Sequence, residues 1–207
     1  MIRFSADDKA RITAAIHAAE KSTSGEFVAV VARTSDHYVF LPLLWSAILA
    51  LLLPGACFLA GTSFRWIELY HLQLLVFIVL AILLLSVPGL HLKLVPQRVK
   101  HAHASRLAQA QFYVQGVQLT PHHSGVLFFV SLAERYVEIV ADKGIHEKLG
   151  EAHWQGIIRG FVGHVRRGQV VDGFVDAIAA CGTAMAQHYP PDPSESNELS
   201  DGLIEIA

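Results

Sequence analysis

The chain has 207 residues, 53% of them hydrophobic and only 16% charged, with a mean hydropathy of +0.41. That is too apolar for a disordered chain, and a net charge of −2 lacks the basic surplus of a dedicated nucleic-acid binder. Two cysteines, Cys57 and Cys181, make neither a disulfide scaffold nor a CxxC zinc site.

Ser5 followed by Asp7 and Asp8 predicts a helix start, with acids where the helix dipole favours them. Ile12, Ala15, Ile16 and Ala19 recur at helical spacing, and the helix is expected to stop near Ser24 and Gly25. Phe27 to Ala32 is an apolar, β-branched run without alternation, as in a strand covered on both faces. The first 20 residues carry Arg3, Asp7, Asp8, Lys9, Arg11 and Glu20, so they do not read as a cleaved signal peptide.

Between Asp36 and Arg65 there is no charged residue, nor is there one between Glu68 and Lys93. Residues 38–60 and 69–90 therefore read as two transmembrane helices, each long enough at about 1.5 Å per residue to cross a hydrocarbon core of roughly 30 Å. Residues 61–68 form a short external loop between them. Trp45, Trp66, Tyr38 and Tyr70 are available as interfacial anchors, and Pro54 and Pro88 are tolerated in membrane spans. The loop holds Arg65 balanced by Glu68, whereas Arg33 precedes the first span and Lys93, Arg98, Lys100 and Arg106 follow the second. The bias toward positive charge inside predicts a multi-pass protein of the bacterial inner membrane with both termini in the cytoplasm. Lys93, Arg98, Lys100 and Arg106 are the expected contacts with anionic headgroups.

Arg98 to Gln115 reads as a helix closed by Gly116, and Thr120 to Ser124 as a polar turn. Gly125 to Leu132 is a second continuous apolar strand, and Tyr136 to Ala141 a third, joined to it by a tight turn. Glu134 and Arg135 in that turn read as a solvated ion pair, with contact to lipid headgroups as the sharper alternative. Trp154, Ile157, Ile158, Phe161, Val162 and Val165 are spaced three and four apart, so Glu151 to Arg166 is a helix laying one stripe on the sheet. Asp172 is expected to cap a further helix with Phe174, Val175, Ile178, Cys181 and Met185 inward. Residues 190–207 form an acidic, proline-containing tail that could dock through Leu203, Ile204 and Ile206. The fold class is α/β, a small mixed sheet sandwiched by helices and interrupted by the transmembrane hairpin. Its discontinuous domain comprises residues 1–36 and 97–189.

Chemistry is harder to read. Glu26 opens the first strand and Asp142 ends the third, so both belong at one sheet edge. There, hard oxygen ligands could hold Ca²⁺ or Mg²⁺, and the metal could orient a phosphate. Polar punctuation of strand ends is the plainer reading of the same pair, and no cofactor is otherwise expected. Twelve histidines are present, but His101 with His103, and His122 with His123, lack the i, i+4 spacing that chelates from one helical face. His153 and His164 read as exposed. No P-loop, dinucleotide fingerprint or GxSxG occurs, Cys57 lies in a span, and Cys181 lies in a packing stripe.

Thr23 to Glu26 leading into an apolar strand, Thr120 to Gly125 leading into Val126–Arg135, and Tyr136 to Ile145 resemble the TPM domain family. The form most like this chain is the bacterial branch with a membrane hairpin inside the domain, closing on a segment like Asn197 to Ile206. The resemblance implies the α/β sandwich already read from the residues. Among the chemistries it implies are an acid phosphatase activity in thylakoid-lumen relatives, calcium binding in others, and a receptor-subunit role in an animal relative. A fold shared across such roles transfers none of them. The expectation is a membrane-anchored interaction module, with no catalytic residue assigned. It would contact the lipid bilayer and a membrane or cytoplasmic protein, and no nucleic acid. The alternative is a divalent-metal-dependent phosphatase acting on a phosphate ester through Glu26 and Asp142.

Overall fold

The computed structural model describes residues 4–36, 38–62, 65–86, 92, 95–120, 123–149, 151–191 and 199–206. The chain divides into two compact units, residues 1–35 with 101–207, and residues 36–100.

In the first unit, helix α1 (Ala6–Glu20) starts at Ser5, whose hydroxyl accepts from the Asp8 N–H at 3.1 Å while Asp8 accepts from the Ser5 N–H at 2.9 Å. This reciprocal capping satisfies two backbone donors that a helix start leaves orphaned. The helix ends at Glu20, short of the expected stop. Strand β1 (Glu26–Ala32) is buried along its whole length, as its unbroken apolar run predicts. Past the hairpin unit, α4 (Gln97–Val114) ends before Gly116, which takes φ +74°, a conformation open to glycine at little cost. A single 3₁₀ turn at Val117–Leu119 leads into β2 (Gly125–Ser131), which is also buried throughout. Then come β3 (Tyr136–Ala141), α5 (Lys143–Leu149), α6 (Glu151–Arg166), α7 (Val170–Met185) and β4 (Ile204–Ile206).

The sheet order is β3-β2-β1-β4. β1 runs parallel to both β2 and β4, and β3 is antiparallel to β2. Alternation along the two central strands sends side chains to opposite faces. Phe27, Ala29 and Val31 of β1, with Val126, Phe128 and Val130 of β2, pack beneath α1, α6 and α7 against Ile12, Ile16, Trp154, Phe161, Phe174 and Ile178. Val28, Val30 and Ala32, with Leu127 and Phe129, face Ala104, Ala108 and Phe112 of α4. Ile204 and Ile206 of β4 join that second layer. The architecture is therefore a four-stranded mixed sheet between helical layers.

Three details differ from the sequence expectation. Gln169 stands at the N-cap of α7, and Asp172 lies in its first turn, where it accepts from Arg11 Nη2 of α1 at 2.7 Å. Residues 143–149 form a helix. The tail supplies a strand, because its apolar residues find the open edge of β1.

In the second unit, α2 (Phe40–Leu59) and α3 (Trp66–Ser86) pack side by side. Gly61 lies between them at φ +70°. Tyr38, Leu41 and Val95 form a small buried cluster of this unit's own. Both helices are long and apolar enough to cross a membrane. Pro88 lies outside the described residues.

Candidate functional site

Glu26 and Asp142 come to one edge of the sheet, as the strand order requires. Glu26 pairs in register with Gly125, and the Asp142 N–H donates to the Gly125 carbonyl at 3.1 Å, so Gly125 stands between them. Each carboxylate has partners of its own. Glu26 is nearly buried, and its Oε2 accepts from the Leu199 N–H at 3.0 Å. Asp142 accepts from the Lys143 N–H at 2.6 Å, and its other oxygen lies 3.0 Å from His123 Nδ1. Beneath them a seam of small polar groups closes the edge. The Thr23 hydroxyl donates to the Tyr189 carbonyl at 2.6 Å, and the Ser124 hydroxyl to the Ser24 carbonyl at 3.1 Å.

Glu20, at the end of α1, adjoins this edge. Its Oε1 accepts from the Phe27 N–H at 3.2 Å. Burial pushes its carboxyl up to about 7; the Phe27 hydrogen bond opposes this, and the nearby Asp201 and Glu26 carboxylates reinforce it.

At the opposite edge, Glu134 is 2% exposed. This corrects the reading of a solvated pair with Arg135. The Thr34 and Ser35 hydroxyls and the Ser131 hydroxyl all donate to Glu134, which explains how a carboxylate can sit in the interior. Arg135 turns the chain with φ +52° and stays exposed.

On the α4 face, Glu138 is half-buried beneath Ser105 and Tyr136, whose hydroxyls donate to it at 3.3 and 3.0 Å. Burial raises its carboxyl above the usual range, and also pushes the Tyr136 phenol up to about 12. The His101 ring lies 5.2 Å from that of Tyr136. Of the expected headgroup contacts, Arg98, Lys100 and Arg106 all lie on α4, with Arg98 and Arg106 exposed and Lys100 partly buried. Lys93 falls outside the described residues.

A groove of about 650 Å³ opens between α6 and α7, with Gly156, Gly160, Ala177, Ala180 and Ala184 in its walls. Its chemistry is muted. His164 Nε2 lies 3.4 Å from Asp176, its Nδ1 lies 3.2 Å from the Gly160 carbonyl, and the Thr183 hydroxyl donates to the Ala179 carbonyl rather than to the imidazole. Among the described residues, no nucleophile is therefore paired with a base there. Cys181 lies 3.8 Å from Met185 Sδ in the core, and burial pushes its thiol up to about 12, far from a reactive thiolate.

A mixed sheet of this order between helical layers defines an α/β sandwich. The TPM domain family model matches residues 94–184, and the chain carries a TPM domain. The fold is also that of the NMR structure of BA42 protein from the psychrophilic bacterium Bizionia argentinensis. That likeness has a TM-score of 0.61 at 18% identity and covers 99% of this chain and 96% of the other. No curated protein matches the chain by sequence.

Sequence reasoning did not find the buried role of Glu134, nor the meeting of His17 and Glu20 with Asp201. The first had a readable signal, since Thr34, Ser35 and Ser131 are hydroxyl donors at two adjoining strand ends. The second had half of one. His17 and Glu20 are three apart on a helix, but Asp201 arrives from a tail whose docking only the fold decides.

Proposed function

We propose that the protein is a membrane-anchored TPM module, held by the α2–α3 hairpin at the cytoplasmic face of a bacterial inner membrane, where it engages a protein partner. The observation that carries this reading is the outward presentation of large apolar side chains by both helices. Phe58 is 82% exposed and Trp66 89%, and Leu51, Leu52, Ile67 and Ile82 are exposed as well. A core helix of a water-soluble protein would bury these groups, and lipid is the solvent that matches them.

The orientation rests on charge. Arg33, Lys93, Arg98, Lys100 and Arg106 flank the hairpin on one side, against a lone Arg65 beside Glu68 in the link. The phosphatase alternative gains no support from the contacts of Glu26 and Asp142, which bond to a backbone N–H and to a histidine with a backbone N–H respectively. The decisive experiment is alkaline extraction of membranes together with a reporter fused after Ala207. Protein that stays in the pellet, with reporter activity on the cytoplasmic side, is the expected outcome. Release into the supernatant ends the anchoring reading, and a periplasmic signal reverses the orientation.

A further inference from the structure

We propose that His17, Glu20 and Asp201 form a binding site for a divalent first-row transition-metal ion of the zinc type, which clips the C-terminal segment onto α1. Each of the three offers one ligand atom, and these atoms all lie within 4.8 Å of one another. His17 and Glu20 are three residues apart on α1, a spacing that puts them on one helical face. Asp201 comes from 181 residues further along, and its carboxylate already lies 3.0 Å from His17 Nδ1.

Both arms are fixed independently of any ion. Ile12, Ile16 and Ala19 anchor α1 in the core. β4 begins three residues after Asp201 and is paired in register with β1, from Val30↔Ile204 to Ala32↔Ile206. Lys9 Nζ meets Glu205 at 2.6 Å, a second link between α1 and the same segment. A site whose ligands are held by packed elements loses little entropy on binding.

The donor set selects the class of ion. Two carboxylates supply the charge that neutralises a dication, and the imidazole nitrogen favours zinc and its neighbours over Ca²⁺ and Mg²⁺, which prefer oxygen shells. Three protein ligands leave a fourth tetrahedral position for water. The consequence is a tail lock: ion binding holds β4 on the β1 edge, and loss of the ion lets the segment detach more readily.

The test uses the full chain in detergent micelles, stripped of metal and titrated with Zn²⁺ against a chromophoric chelator. One equivalent should bind. His17→Ala and Asp201→Asn should each weaken that binding roughly tenfold or more, while His101→Ala leaves it unchanged. Amide exchange at Ile204 to Ile206 should slow on adding Zn²⁺ to the parent chain and not to Asp201→Asn, with circular dichroism confirming that the variants fold. Zn²⁺ affinity equal to the parent in both site variants overturns the proposal, as does exchange at β4 that ignores the ion. Ca²⁺ or Mg²⁺ displacing Zn²⁺ at equal concentration overturns the assignment of the ion class.

Discussion

Ser35 and Glu134 are joined twice across 99 residues of sequence, the Ser35 N–H and hydroxyl donating to the same carboxylate oxygen at 3.0 and 2.8 Å. The Thr34 hydroxyl adds a third bond at 3.1 Å, and the Ser131 hydroxyl reaches the other oxygen. The carboxylate thus ties the chain leaving β1 to the turn after β2. Glu134→Ala should cost about 3 kcal/mol of unfolding free energy, since it strands several donors at once. Urea unfolding followed by fluorescence would check this, and a loss below about 0.5 kcal/mol would show that water takes over the role.

Two pairs of glycines should respond in opposite directions. A Cβ on Gly156 or Gly160 of α6 meets nothing within 4 Å, so alanine there removes backbone freedom from the unfolded chain at no steric cost. Each change should raise stability by roughly 0.5–1 kcal/mol. A Cβ on Gly125 would lie 2.5 Å from the Val117 carbonyl oxygen, and one on Gly182 would lie 2.8 Å from the Ala19 Cβ. Alanine at either should destabilise by about 1–3 kcal/mol. Thermal midpoints of the four variants would separate the pairs.

Glu138 gives the fold a pH dependence whose sign can be stated. Its carboxyl is raised above its ordinary value of 4.5 by burial, so the folded state holds the proton more tightly than the unfolded chain. The favourable contribution is then present below the ordinary value and is lost as pH rises through the folded one. Glu138→Gln should match the parent near about pH 4 and exceed it in thermal midpoint near about pH 8. A glutamine variant less stable at the higher pH would mean that the Ser105 and Tyr136 hydrogen bonds outweigh desolvation.

Ile204 and Ile206 cover the β1 edge and pack against the second core layer. Changing both to serine should cost about 2 kcal/mol from lost apolar burial. It should also make aggregation concentration-dependent, because the unpaired groups of an open edge recruit other chains. Light scattering against concentration measures this, and an unchanged signal would show that the edge is guarded by other means.

How much of this was legible follows from where the information lies. β1 and β2 were readable because continuous apolar runs belong to strands covered on both faces, and α6 because its stripe never breaks period. The tight turn at Ala133–Arg135 was readable too. The burial of Glu134 was legible only in part: hydroxyls at two adjoining strand ends signal a buried acceptor, but their convergence on this carboxylate follows from the fold. β4 has three residues, too few for a period, and its strand state comes from the vacancy beside β1 rather than from its own composition. Glu26 and Asp142 were correctly ordered along the sheet, but their partners, Leu199 and His123, follow from loop paths that no local pattern encodes.

The pairing of β1 with two strands that both follow the apolar hairpin has a bearing on biosynthesis. A ribosome working at roughly 5–20 residues per second finishes β1 many seconds before β2 exists, and β4 is later still. During that interval a strand apolar at every position after Glu26 has no neighbour, so the nascent chain should depend on the insertion machinery or a holdase for shelter. Completion of the sheet then waits for β4, the last of its four strands to be synthesised.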